Sequence, residues 1–254
     1  FGLPNAGFGL FCGLVFMCAV WEFVLIARRG TPSAPLILLL GTVPAAGLAL
    51  IAWISGRPLG WPADPGHQTF LGAMLLAVGA GISVLISRTS VEEALPAMGG
   101  LCFGTLYFAV PLASLVEIHR RDPWLLILVL ALVWLGDAAA FYGGRSFGKR
   151  KLAPVVSPNK TWAGAVSNFL TALAVAVCWS LWRLGELQPG LLLVAALVSC
   201  SGQLGDLVES MIKRGASVKD SGWLLPGHGG FYDRIDALLF GAPAMLVGLF
   251  LLDL

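Results

Sequence analysis

Carboxylates stand in this chain where the neighbouring residues are apolar, which is the arrangement of a buried cation site. Asp137 and Asp206 lie within apolar runs, and Asp206 and Glu209 are spaced i, i+3, which places them on one helix face. Asp233 and Asp236 repeat that spacing. Because acids inside apolar helices are costly and usually functional, we expect carboxylates from different helices to form an all-oxygen site suited to Mg²⁺. The alternative is a solvated network in which these acids pair with nearby Lys and Arg.

Two further segments are suited to phosphate. Ser157-Pro158-Asn159-Lys160-Thr161 precedes an apolar run, so Asn159 or Thr161 can cap a helix whose positive end lies beside Lys160. The alternative there is an ordinary capped helix with a snorkelling lysine. Residues 226–230 place three glycines around one histidine, and the exposed backbone N–H groups of such a loop can form a phosphate nest.

The composition decides what kind of molecule must position these groups. Of 254 residues, 57% are hydrophobic and only 12% are charged, and the mean hydropathy is +0.85. A soluble domain of this size could not bury so much apolar surface, which excludes soluble and disordered classes. The formal charge of +2 is too small to predict a nucleic-acid partner. We predict a single membrane domain over residues 1–254.

Continuous apolar runs, rather than alternating ones, predict an all-α polytopic membrane protein. Trp21 and Glu22, at the end of the first run, also have an ordinary interpretation, as an interfacial tryptophan and a snorkelling acid. The chain begins at Phe1 rather than Met, and we expect one more span before it. The eight predicted spans lie near 8–27, 34–54, 70–87, 95–116, 124–142, 162–182, 190–211 and 235–252.

Lysine and arginine predict the orientation of these spans. Twelve of them fall in the odd-numbered loops and four in the even-numbered loops, so the odd loops are expected to face the cytoplasm. Residues 137–160 and 206–236 hold half of all charged residues, and both stretches belong to that side. We therefore expect a multi-pass membrane protein with a polar site at its cytoplasmic surface, the inner (plasma) membrane being its expected location in a bacterium.

The residues from 210 to 236 carry a long set of spaced polar elements. The set consists of Ser210, Lys213-Arg214, Lys219-Asp220, residues 226–230, Asp233-Arg234 and Asp236. It resembles the signature of phosphatidate cytidylyltransferases, also called CDP-diacylglycerol synthases. The resemblance is strongest over the catalytic signature region, about 137–240, while the N-terminal half is similar mainly in hydropathy and in Trp21-Glu22.

The resemblance implies that the chain transfers CMP from CTP to phosphatidate, giving CDP-diacylglycerol and pyrophosphate in phospholipid biosynthesis. The lipid phosphate would attack the α-phosphorus of CTP in line, with Mg²⁺ as cofactor and room for a second cation. The residues assigned to catalysis are Asp206, Lys213, Arg214, Lys219, Asp233 and Arg234. Those assigned to Mg²⁺ are Asp206 and Asp233, with Asp236 and Asp220 as weaker candidates. Those assigned to substrate binding are Ser157, Asn159, Lys160, Thr161, Gly227, His228, Gly229 and Gly230.

Two other functions use the same kinds of residue. A CTP-dependent lipid kinase acting on a polyprenol or similar alcohol would also need membrane spans, a metal and basic residues. An ion-coupled transporter would use Asp137 and Asp206 as coupling acids, but its acids belong near the midplane, whereas these are predicted near helix ends. The long signature favours the cytidylyltransferase. The expected partners are CTP, phosphatidate and membrane lipid, and a homodimer is compatible with the sequence.

Overall fold

The computed structural model describes residues 5–30, 77–82, 84–86, 90–222 and 229–252. Helices account for most of this part of the chain, so the predicted all-α class is confirmed. In chain order the elements are α1 (Asn5–Gly30), α2 (Ala77–Ile86), α3 (Val91–Arg121), α4 (Pro123–Phe147), β1 (Lys151–Ala153), β2 (Ser157–Thr161), α5 (Trp162–Trp179) with a π-helical turn at Ser180–Leu184, α6 (Pro189–Gly215), a 3₁₀ turn at Tyr232–Arg234, and α7 (Asp236–Leu251).

Among the described residues, five helices are long and apolar enough to cross a membrane: Gly7–Arg29, Val91–Arg121, Pro123–Phe147, Trp162–Leu184 and Pro189–Gly215. They coincide with five of the predicted spans. The last predicted span forms the shorter apolar helix α7, and α2 covers part of the third. The predicted span near 34–54 lies outside the described residues, so the total of eight spans stays a prediction.

A β-hairpin joins α4 to α5, where the sequence predicted only a basic loop and a helix cap. β1 and β2 pair antiparallel, with Lys151 opposite Thr161 and Ala153 opposite Ser157. Pro158 is compatible with this extended conformation, because proline disfavours helix at the preceding residue. The hairpin ends where Thr161 begins the next helix, so it fixes the direction in which α5 starts.

The chain divides into two compact units. The first contains Glu117–Arg214 and Arg234–Leu254, and the second contains Gly2–Val116 and Gly215–Asp233. The prediction of one membrane domain stays a prediction.

Small residues set the close helix packing in the first unit. A Cβ at Gly164 of α5 would lie 2.7 Å from the Ala140 carbonyl oxygen of α4. A Cβ at Gly205 of α6 would lie 2.7 Å from the carbonyl oxygen of Asp236. Any residue larger than glycine is excluded at these positions, because a Cβ atom does not come this close to a backbone carbonyl oxygen. Glycine at these two positions therefore brings α4 to α5, and α6 to the start of α7.

Aromatic side chains form the core of the second unit. Tyr232 is fully buried and lies edge-on to Phe108 and Tyr107, with ring centroids 5.1 Å and 6.0 Å away. Its hydroxyl donates a hydrogen bond to the Tyr107 hydroxyl over 3.1 Å. Phe23 of α1 joins the same cluster through Phe108. The packing anchors the end of the 215–233 segment against α1 and α3.

Candidate active site

Three carboxylates converge in the first unit, at the last turns of α6 and the first residue of α7. One oxygen each from Asp206, Glu209 and Asp236 lies within 4.8 Å of the others. Glu209 is buried, and the two aspartates are partly exposed. The i, i+3 spacing puts Asp206 and Glu209 on one face of α6, and Gly205 admits the start of α7 beside them. The cluster is a compact all-oxygen donor set contributed by two helices.

Two lysines neutralise part of this acid cluster. The Lys160 Nζ lies 2.5 Å from Asp206 Oδ2, and the Lys213 Nζ lies 2.7 Å from Glu209 Oε1. Lys160 comes from β2, whereas Lys213 is one turn beyond Glu209 on α6 itself. The ion-pair network that the sequence left open as an alternative is therefore present. Its cations are on flexible side chains, so the same atoms can also meet phosphate oxygens.

The start of α5 is fixed beside Lys160 by its cap. Of the two candidates for that role, Thr161 is the cap: its Oγ1 accepts a hydrogen bond from the Gly164 backbone N–H over 3.1 Å. Asn159 instead lies within β2, as does Ser157. The arrangement leaves Lys160 immediately before a helix N-terminus, where the backbone carries partial positive charge.

A polar network inside the apolar helices was missed at the sequence level. The Asn168 side chain of α5 donates to Asp137 Oδ1 of α4 over 3.3 Å, and it accepts from the Ser199 hydroxyl of α6 over 2.7 Å. Gln203 donates to the same hydroxyl over 3.2 Å. Asparagine and glutamine within membrane helices are the signal that could have revealed it, because such groups need partners. The network joins three helices within the unit that holds the acid cluster.

The second unit holds residues 215–222 and 229–233 of the 210–236 signature. The Asp233 carboxylate accepts hydrogen bonds from the Ser221 backbone N–H at 3.1 and 3.2 Å and from the Gly230 backbone N–H at 3.0 Å. Gly229 has φ of +81°, a conformation that side chains other than glycine rarely adopt. The acid assigned to metal thus also shapes its own loop.

The structure buries Glu22, which the sequence suggested would reach water. The side chain is 2% exposed, whereas the neighbouring Trp21 is 44% exposed. Glu22 is therefore not a snorkelling acid, and that prediction is wrong. Its carboxylate accepts hydrogen bonds from the Ser221 hydroxyl and from the backbone N–H groups of Phe231 and Tyr232. Buried polar groups require such partners, and the sequence could not show that they lie some 200 residues further along.

The remaining assigned residues fall on both units. Gly227 and His228 lie outside the described residues. Lys213 and Arg214 occupy the last turn of α6, and Arg234 ends the 3₁₀ turn. The first unit contains Lys160, Asp206, Lys213, Arg214, Arg234 and Asp236, and the second contains Lys219, Asp220, Gly229, Gly230 and Asp233. Joint binding of one ion by Asp206 and Asp233 stays a prediction.

Known proteins resemble the chain along almost its whole length. A family model described as "Cytidylyltransferase family" matches residues 1–252. The phosphatidate cytidylyltransferase of Haemophilus influenzae is 34% identical over 259 residues, which cover 93% of this chain and 87% of that protein. The phosphatidate cytidylyltransferase of Pseudomonas aeruginosa is 37% identical over 262 residues, which cover 96% of this chain and 88% of that protein. The matched residues include both compact units.

Proposed function

The chain belongs to the cytidylyltransferase family, and we propose that it transfers CMP from CTP to phosphatidate, yielding CDP-diacylglycerol and pyrophosphate. Relatives named phosphatidate cytidylyltransferase support this substrate pair. The observation in the structure that carries the proposal is the mixed cluster of Asp206, Glu209 and Asp236 with Lys160 and Lys213. It offers both a cation site and phosphate-binding ammonium groups, which a reaction between two polyanions requires.

The acid cluster fits a divalent cation by the chemistry of its donors. Carboxylate oxygens from Asp206, Glu209 and Asp236 are the hard ligands that Mg²⁺ prefers, and nitrogen or sulfur ligands are not among them. We assign Mg²⁺ to these three residues. When bound, the ion would offset phosphate charge and polarise the phosphoryl group under attack. Ligation by Asp233 or Asp220, and a second cation, stay predictions.

The chain's own basic residues hold and orient the phosphates. Lys160 pairs with Asp206 and directly precedes Thr161, the cap of α5, so its ammonium group can pass from Asp206 to a phosphate without leaving the site. Lys213 pairs with Glu209, and its ammonium group can pass to a phosphate in the same way. Arg214 and Arg234 add fixed positive charge in the same unit. These groups bring the two substrates together against their mutual repulsion.

The reaction needs no strong base. A phosphate oxygen of phosphatidate forms a bond to the α-phosphorus of CTP, and the bond from that phosphorus to the bridging oxygen of pyrophosphate breaks. The nucleophile is already an anion near neutral pH, so no proton has to be removed from it. Catalysis then comes from alignment and from stabilisation of charge on the transferred group.

The lipid approaches from the bilayer while the nucleotide comes from water. Each exposed CH₂ group of the acyl chains would cost about 0.8 kcal/mol, so the chains stay in hydrocarbon. The acid cluster lies in the C-terminal third of the membrane-length helix α6, and we expect this part of the helix to approach the depth at which a lipid phosphate resides. The bias of Lys and Arg toward the odd-numbered loops supports the cytoplasmic side for this site.

The test follows the fate of the label in CTP. Purified protein is incubated with phosphatidate, Mg²⁺ and CTP labelled in either the α- or the γ-phosphate, and the lipid fraction is separated by chromatography. We expect the α-label in lipid, the γ-label in pyrophosphate, and neither in lipid when phosphatidate is omitted. Label reaching lipid only from the γ-position, with an alcohol as acceptor, would overturn the proposal in favour of the kinase.

A further inference from the structure

Glu22, among the described residues of the second unit, is a buried carboxylate that the proposed reaction does not use directly. It lies on α1, in a helix long and apolar enough to cross a membrane, and its side chain is 2% exposed. A carboxylate is costly in such surroundings unless it accepts strong hydrogen bonds. Its partners therefore indicate why an acid stands there.

Three donors from one segment of the chain meet this carboxylate. Oε1 accepts the backbone N–H of Phe231 over 3.0 Å. Oε2 accepts the Ser221 hydroxyl over 2.9 Å and the backbone N–H of Tyr232 over 2.9 Å. The donors come from both ends of segment 221–232, so a single side chain ties those ends together. Hydrogen bonds to an ionised acceptor are about twice as strong as neutral ones.

Two glycines make this approach sterically feasible. A Cβ at Gly222 would lie 2.5 Å from Glu22 Oε1, and a Cβ at Gly230 would lie 2.6 Å from Glu22 Oε2. A Cβ at Gly230 would also collide with the Ser221 hydroxyl and would lie 2.7 Å from the Gly222 backbone nitrogen. The glycines at the two ends of the segment are thus complementary to the carboxylate between them.

Glu22 is also coupled to the neighbouring acid of the signature. Ser221 donates its hydroxyl to Glu22 and its backbone N–H to Asp233. The backbone of Gly230 is held by Asp233, and the two residues that follow are held by Glu22. The Glu22 carboxylate therefore fixes the turn in which Gly229, Gly230 and Asp233 are presented.

We propose that Glu22 is a positioning residue, which acts from α1 to hold the ends of segment 221–232 in the conformation needed for cytidylyl transfer. The proposal rests on the proposed function for its catalytic consequence and on the hydrogen bonds for its structural part. Glu22 touches neither substrate nor reacting atoms in this role. It sets the position of the residues that do.

The structural part is tested by hydrogen exchange on the intact protein in detergent. Glu22→Gln keeps the side-chain volume but turns one acceptor oxygen into an amide donor, so at least one of the three donors loses its partner. We expect the amides of Phe231 and Tyr232 to exchange about tenfold faster, because hydrogen bonds to charged groups are among the stronger ones. Glu92→Gln removes the same charge at an exposed position of α3 and should leave that exchange unchanged.

The catalytic part is tested by steady-state kinetics with α-labelled CTP. We expect kcat of Glu22→Gln to fall about 100-fold, since a displacement of about 1 Å in a positioned group can cost that much. The KM for phosphatidate should not change, because the substitution removes no contact to the lipid. If Glu22→Gln does not fold, Ser221→Ala, which deletes one of the three hydrogen bonds, should give an intermediate change in both measurements.

Each outcome decides one part of the inference. Unchanged exchange in Glu22→Gln, or exchange that accelerates equally throughout α5 and α6, would overturn the positioning role. Faster local exchange with unchanged kcat would also overturn it. If the wild-type protein transfers no label from CTP, the proposed function fails, and the exchange measurement still decides whether Glu22 holds the segment.

Discussion

Replacing Asp206 by Asn should separate the catalytic use of this acid from its contribution to stability. The substitution is nearly isosteric and removes the charge that faces the Lys160 ammonium group at 2.5 Å. The two side chains are 31% and 24% exposed, so water screens the pair. Exposed ion pairs contribute about 0–1 kcal/mol to the free energy of unfolding, and this partly exposed pair should contribute on the order of 1 kcal/mol. We therefore expect Asp206→Asn to fold and to purify like the wild-type protein.

The effect on turnover should be much larger. Loss of a residue that only supports a metal ligand typically lowers affinity or activity about 10- to 100-fold, and loss of a ligand should exceed that range. A 100-fold loss corresponds to about 2.7 kcal/mol of transition-state stabilisation. A loss of about 1 kcal/mol from an ordinary free energy of unfolding of about 5–15 kcal/mol leaves nearly all of the protein folded, so unfolding cannot account for the loss of turnover. The residual activity should require higher Mg²⁺ concentrations, because two carboxylates rather than three remain.

The assay measures transfer of α-labelled CMP to phosphatidate over a range of Mg²⁺ concentrations, together with the thermal unfolding midpoint in detergent. Asp122→Asn is the matched control, because Asp122 also pairs with a basic side chain in the first unit, Arg183 at 3.5 Å, and is 40% exposed. The control should retain activity. Near-normal turnover of Asp206→Asn at low Mg²⁺ would refute the assignment of this acid to the ion.

Three further predictions concern the glycine-rich loop, the polar network and the metal. Gly230→Ala, which places a Cβ 2.6 Å from a Glu22 oxygen, should lose activity. The control Gly99→Ala, which has open space around the added Cβ, should keep it. Equal activities of the two variants would contradict the claim that Gly230 leaves room for the Glu22 carboxylate. Asn168→Leu should lower the free energy of unfolding by about 1–3 kcal/mol, because it leaves buried polar groups unpaired. Ser167→Ala, at the neighbouring position, is the control, and equal thermal unfolding midpoints of the two variants would contradict this prediction. Chelation of divalent cations should stop label transfer and added Mg²⁺ should restore it, and transfer in excess chelator would exclude the metal.

Hydropathy predicted the membrane-length helices well because length and apolarity alone determine such elements. The β1–β2 hairpin was not predicted, since its strands are only three and five residues long and their pairing depends on a register that no periodicity reveals. The cap of α5 could not be chosen by residue type alone. Its residue type marks it as a cap, but the sequence offered Asn159 equally, and only the course of the hairpin selects between them.

The candidate site was predictable where residues are close in sequence. Asp206 and Glu209 share a helix face by spacing alone. That Asp236 joins them depends on the approach of α7 to Gly205, which is a property of tertiary packing. Glu22 was misjudged for the same reason. The sequence around an acid in an apolar helix is the same whether its side chain reaches water or accepts hydrogen bonds from donors about 200 residues further along the chain.

The acids of the two units differ in the groups that neutralise or hydrogen-bond them, and this difference bears on their roles. Glu22 is held by two backbone N–H groups and a serine hydroxyl, donors whose positions are set by the chain itself. Asp206 and Glu209 are held by lysine side chains, which have several rotatable bonds. Glu22 can lose its hydrogen-bond donors only if the loop that carries them unfolds. Lys160 and Lys213, in contrast, can move their ammonium groups to a phosphate while a cation takes their place beside the carboxylates. The first arrangement suits a fixed frame, and the second suits a site whose charges are redistributed each time substrate binds.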